Sequence, residues 1–141
     1  MLTLDKANAL IVTALQEGAR LGIAPKLAVA VLDAGGHLRA LVRQDQASSM
    51  RGTIAIAKAS GALALGVSSR RIAEMAIERP TFIASLAPIS PAGIVPAAGG
   101  MLVIDDHGNV VGAVGISGDT SDNDEACALA GIAAVGFHAG G

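Results

Sequence analysis

Residues 27–43, LAVAVLDAGGHLRALVR, decide the fold. The stretch opens on an apolar run of strand length, Leu27-Ala28-Val29-Ala30-Val31-Leu32. Asp33-Ala34-Gly35-Gly36 then supplies residues that accept positive φ, and His37 to Arg43 returns as a partner strand. An apolar run, a glycine turn and a return run predict a β-hairpin. Downstream, Met101–Ile104 and Val110–Ile116 flank the turn-forming Asp105-Asp106-His107-Gly108-Asn109 and predict a second hairpin.

Helices fill the spaces between. Thr3 suits an N-cap, Leu4, Ile11, Leu15 and Gly18 follow at helical spacing, and Gly22 with Ile23 behind it suits a C-terminal cap. Ser48 or Ser49 starts a second helix through Ile54, Ile56 and Lys58 to about Leu65, stopped by Gly66. Gly52 and Gly61 cost that helix stability, which predicts closely packed neighbours. A short helix is expected over Ser69–Met75. Pro80, Pro88, Pro91 and Pro96, with Gly93, Gly99 and Gly100, predict a long irregular cover over 80–100, whose 88–100 part lines the main pocket. The last helix starts near Ser121 or Asp122 and is apolar on nearly every face from Ala126 to Phe137, which predicts burial; His138 falls in a mobile tail. Hairpins separated by helices predict one α+β domain over residues 1–141, with a mostly antiparallel sheet and helices packed alongside.

Composition narrows the function. Of 141 residues, 52% are hydrophobic and 16% charged, with no Trp, no Tyr and only Phe82 and Phe137 as aromatics. Ala, Val, Leu, Ile and Gly must fill the core, so packing depends on close backbone approach. So much apolar surface on a small domain predicts a homo-oligomer. A net charge of -2 with scattered basic residues argues against nucleic acid. No apolar run approaches a membrane span, and Met1-Leu2-Thr3-Leu4-Asp5-Lys6 lacks the features of a signal peptide, so a cytoplasmic protein is expected. The single Cys127 allows no internal disulfide.

Leu32-Asp33-Ala34-Gly35-Gly36-His37, Arg43, Ala57-Lys58-Ala59, Gly99-Gly100, and Gly112-Ala113-Val114-Gly115-Ile116-Ser117-Gly118 with Asp124-Glu125 together resemble the GlcG/HbpS-like family. That domain also forms the C-terminal part of PduO-type cobalamin adenosyltransferases. The resemblance spans almost the whole chain. It implies a five-stranded antiparallel sheet, assembly from dimers up to octamers, and haem binding in several members, some of which degrade it. The family often has a Pro-rich stretch leading into its Gly-Gly, followed by a Pro; here Ala97-Ala98 precede Gly99-Gly100 and Met101-Leu102 follow.

Four constellations carry candidate chemistry. Strand-end glycines running into a helix, Gly115-Ile116-Ser117-Gly118, present backbone N–H groups that suit a carboxylate or a haem propionate. The neighbouring Ser121, Asp122, Asp124 and Glu125 equally suit a plain helix cap. Asp119, Ser121, Asn123 and Glu125 alternate like calcium ligands, but the central Gly and the twelfth-position Glu of an EF-hand are missing, and no nucleophile-elbow spacing is present. His37 and His107, at hairpin tips, are the candidate haem-iron ligands. Arg43 and Lys58 fall in segments read as buried, so each needs a partner. Either they bridge to Asp33 or Asp124, or they hold a ligand carboxylate near Gly99 and Gly100.

Two functions follow from these sets. In the first, an oligomeric protein binds haem or another tetrapyrrole, with propionates on Arg43, Lys58 or the Ser117-Gly118 turn. In the alternative, a cofactor-independent isomerase, lyase or hydrolase acts on a small carboxylated acid. Its catalytic residues would be Lys58, Asp33, Ser117 and Asp124, with Arg43 orienting the substrate. A third possibility is a purely structural accessory subunit.

Overall fold

A computed structural model describes residues 1–141. Five helices and five strands follow along the chain: α1 (Leu4–Arg20), β1 (Ala28–Asp33), β2 (Leu38–Arg43), α2 (Ser49–Leu65), α3 (Ser69–Glu78), α4 (Pro80–Leu86), β3 (Gly100–Ile104), β4 (Val110–Ser117), α5 (Ser121–Ala134) and β5 (His138–Gly140). The strands form one sheet in the order β2-β1-β4-β3-β5, and every pairing is antiparallel. Both predicted hairpins are present. The architecture is the α+β fold expected from the sequence. No single helix is long and apolar enough to cross a membrane.

Three layers follow from how the two central strands alternate. Along β1, Val29 and Val31 point into the larger core, with Val114 and Ile116 of β4, against Leu10, Ile11 and Ala14 of α1 and Cys127, Ala128 and Ile132 of α5. The opposite face carries small residues: Ala28 and Ala30 meet Ala55 of α2, and Leu32 and Ala113 meet Ala59. Bulky β-branched side chains thus face a helix pair, while alanine and glycine let α2 lie directly on the sheet. Gly115 is the closest point, because a Cβ there would run into the carbonyl oxygen of Ala55. Close backbone approach therefore replaces the missing aromatics.

Several expectations change. The segment 80–100 is not all irregular: α4 occupies 80–86, with Pro80 in its first turn, and a 3-10 turn follows over Ala87–Ile89. Proline is tolerated there because the N–H it lacks has no intrahelical partner. The short helix runs on to Glu78 instead of stopping at Met75. Thr120, not Ser121 or Asp122, caps α5, its side chain accepting from the N–H of Asn123 at 3.2 Å. That helix ends at Ala134, so Phe137 lies beyond it, and Leu129 is exposed. The tail is ordered: β5 pairs with β3, and the N–H of Ser68 donates to the carbonyl oxygen of Gly141 at 3.3 Å. Arg43 is not buried, because β2 is an edge strand with nearly every residue exposed.

Candidate functional site

Asp33 ends β1 and pairs with Gly112, whereas Ala28 begins it opposite Ser117. At about 3.4 Å per residue, the sequence-predicted site residues are divided between two ends of the sheet roughly 17 Å apart.

The first end is closed. Lys58 is 4% exposed and Asp124 1%. The Lys58 ammonium donates to the carbonyl oxygen of Ile116 at 2.8 Å and to Asp124 Oδ2 at 3.3 Å. Asp124 Oδ1 accepts from the N–H of Asp119 at 3.0 Å. Asp119 in turn accepts from Asn123 Nδ2 at 2.7 Å and pairs with Lys26 at 3.0 Å. Burial pushes the Lys58 ammonium down and the Asp124 carboxyl up, and each holds the other's charge against that loss of water. Asp119, bonded by Asn123 and then by Lys26, drops to about 2.

Gly99 and Gly100 serve this packing. Gly99 has φ +128°, and a Cβ on it would lie 2.6 Å from the Ile116 carbonyl oxygen and 2.8 Å from Lys58 Nζ. The N–H of Gly100 donates to Ser69 Oγ at 2.7 Å. Gly118 packs on the backbone of Lys26 and Leu27. Of the two bridges considered for Lys58, the one to Asp124 forms. The one to Asp33 does not.

The second end is open. Its cleft, about 370 Å³, is the largest concavity in the chain; Met1, Leu2, Val110 and Val111 form an apolar wall and Asp33, His37 and Arg39 a polar rim. The Asp33 side chain accepts the N–H groups of Gly35 and His37, both at 3.0 Å, as the β1–β2 turn demands. Led by the His37 N–H, these bonds hold its carboxyl below the usual carboxylate range. His37 Nδ1 lies 3.4 Å from Asp33 Oδ1, and Arg39 reaches Asp33 Oδ2 at 3.5 Å. The His37 contact is a charge-pair distance and not a hydrogen bond, so both ring nitrogens of His37 are without a hydrogen-bond partner in the protein.

The main pocket is therefore not the one expected under 88–100. The segment does line the three lesser concavities: Pro96, Ala97 and Ala98 a cleft of about 310 Å³ beside α3, and Ile89, Ser90, Pro91 and Ile94 two more of about 220 and 210 Å³. None of the four concavities is lined by Lys58, Arg43, Gly99, Gly100, Ser117, Gly118, Asp124 or His107. Arg43 donates to the carbonyl oxygen of Ala47 at 2.6 Å, and His107 sits on the exposed β3–β4 turn. The four residues named for catalysis are not assembled: Lys58, Ser117 and Asp124 lie at the closed end and Asp33 at the open one. Sequence reasoning missed Arg39, although alternation along β2 places it two residues from His37. Arg51 was also missed; its Nη1 lies 3.4 Å from Ser117 Oγ. The i, i+7 spacing of Arg51 and Lys58 on α2 was the available signal.

Comparison with known proteins fits this architecture. A family model described as "Haem degrading protein HbpS-like" matches residues 2–133. The structure of a PduOC:heme complex is similar with a TM-score of 0.83 at 22% identity, covering 97% of this chain and 96% of that one. Klebsiella pneumoniae protein ORFY is similar at 0.83 and 25%, covering 94% and 89%. A double mutant of Streptomyces reticuli HbpS is similar at 0.78 and 27%, covering 93% and 84%. The curated protein sequences contain no match.

Proposed function

This chain belongs to the HbpS-like family, and from that premise we propose that it is a cytoplasmic homo-oligomer that binds haem in the cleft beside the β1–β2 turn. The donor set fits the group. Haem needs an apolar wall, an axial donor and a cation for its propionates. Met1, Leu2, Val110 and Val111 supply the wall, His37 the imidazole and Arg39 the guanidinium. The observation that carries the reading is an exposed imidazole on the rim of the largest cleft with a carboxylate beside it, His37 Nδ1 lying 3.4 Å from Asp33 Oδ1. Metal-binding histidines commonly back onto such a group, which sets the tautomer and raises the basicity of the other nitrogen. Bound haem supplies a redox-active iron; the protein binds it, orients the imidazole and neutralises the propionates.

A further feature supports the reading. Edge strand β2 exposes Leu38 and Val42 on one face of the sheet and Leu41 on the other, apolar side chains suited to a second copy of the chain, in assemblies from dimer to octamer.

Haemin titration followed by sedimentation, with detection at the Soret band, tests both parts. A stoichiometric Soret band is expected to sediment with a species heavier than the 13.9 kDa chain. His37→Ala is expected to shift or abolish the band while leaving the apo melt within about 0.5 kcal/mol of the parent. A free-haem spectrum at stoichiometric protein, or a His37→Ala spectrum identical to the parent's, overturns the site.

A further inference from the structure

Across the ridge of Ala34 and Gly35, which borders both, the haem cleft gives way to a groove of different character. It has two lobes, of about 220 and 210 Å³, joined at Ala64 and Pro91. The walls are aliphatic, chiefly Leu63, Leu65, Leu86 and Ile94, and no Asp, Glu, Lys, Arg or His lines either lobe. Gly61 shapes the groove, since a Cβ there would lie 3.3 Å from Ile94 Cδ1 and push that wall outward.

Two polar side chains line the groove: Ser90, in the second lobe, donates its hydroxyl to the carbonyl oxygen of Ala87 at 2.9 Å, which leaves Ser60 in the first. Ser60 is 6% exposed and borders the first lobe. A serine inside a helix ordinarily returns its hydroxyl to the carbonyl four residues back. Ser60 makes no such bond. Every fully occluded polar side-chain atom in the protein has a partner, so the Ser60 hydroxyl reaches the open space of the groove. A buried hydroxyl with its capacity unused, set in an uncharged wall, matches the general form of a small-molecule site: mostly apolar, with few convergent polar groups.

We propose that this groove binds a second ligand, a neutral and mainly apolar small molecule whose one hydroxyl or carbonyl pairs with Ser60. Charge decides the class. A carboxylate or phosphate would lose its water against Leu and Ile with no cation to meet it. The same argument separates this ligand from haem, whose propionates call for a cation such as Arg39. Each lobe exceeds the roughly 150 Å³ that holds a benzene ring in an engineered cavity of another protein. A ring or short branched chain therefore fits one lobe, and an extension reaches the other.

Methyl-labelled protein titrated with benzyl alcohol, benzoate and toluene tests the proposal. Benzyl alcohol is expected to shift the methyl signals of Leu63 and Ile94, with benzoate at least tenfold weaker. Ser60→Ala should weaken benzyl alcohol roughly 2- to 12-fold, toward the affinity of toluene, and leave toluene unchanged. Ala64→Trp, which fills the junction of the lobes, should abolish the shifts without altering the haemin titration. Equal binding of benzoate, an unchanged affinity in Ser60→Ala, or no shift at Leu63 and Ile94 overturns the proposal. Because haemin is titrated into the same variants, failure of the haem site is read separately.

Discussion

The two ends of the β1–β4 pair each bring an acid against a base, yet they are built for opposite purposes. Lys58 and Asp124 meet with side chains 4% and 2% exposed, whereas Asp33 and His37 meet at 28% and 83%. At the closed end the Lys58 ammonium and both Asp124 oxygens are bonded to the protein, and Gly99 and Gly100 bring the backbone close against them. At the open end Asp33 also serves the turn, but the imidazole makes no hydrogen bond to the protein. Burial makes the first pair costly to break and poor at meeting a ligand. Exposure makes the second pair weak as a fold determinant and available for binding.

The largest expected effect tests the closed end. Lys58→Met leaves the Asp124 carboxylate buried without its cation and is expected to cost about 3–5 kcal/mol in denaturant unfolding. Adding Asp124→Asn removes the buried charge while keeping an acceptor for the N–H of Asp119, and is expected to recover more than half of that loss. A single-variant cost below about 1 kcal/mol would mean that the pair is hydrated and that the contrast between the ends is false.

An intermediate effect sharpens the open end. Asp33→Asn keeps the turn's acceptor but removes the charge behind His37. Haem affinity should fall roughly 10- to 100-fold, the usual consequence of losing the partner behind a metal-bound histidine. An unchanged haemin affinity would detach Asp33 from the site, and a large loss of apo stability would make it a structural residue like Asp124.

The smallest effect lies at the rim of the closed end. Asp119 titrates near 2 in the folded protein against an ordinary 3.8, so the unfolded chain binds more protons between those values. Its contribution to stability is present above about pH 4 and is lost as the pH falls through about 2. Unfolding monitored across that window should show a shallower acid loss in Asp119→Asn, and no difference in slope between the two proteins above about pH 5. A parallel acid limb in both would show that Asn123 and Lys26 do not favour the charged form.

Much of the frame was legible because it is written in local chemistry. Asp33-Ala34-Gly35-Gly36 and Asp105 to Asn109 make turns wherever they occur, and Thr3 and Gly66 bound helices by their own backbone preferences. The tail misled because β5 is only three residues long and owes its conformation to pairing with β3, which no local pattern encodes. Pro80 misled in the other direction, counted as a breaker where it starts a helix. At the site, His37 was visible as an imidazole beside a turn acid, but not as the rim of the largest cleft.

By itself the sequence determined the α+β order, both hairpins, an aromatic-poor core that demands close backbone contact, and Lys58 as a cation needing a partner. Only the tertiary structure decided which acid that partner is. Asp33 and Asp124 are equally plausible along the chain, and the antiparallel register of β1 on β4 sends them to opposite ends of the sheet. Likewise Gly99 and Gly100 read as room for a ligand until α2 is placed, whereupon Lys58 and the Ile116 carbonyl occupy that room. A glycine shows that something comes close. What comes close is set by long-range packing, and here it is the protein's own helix and strand.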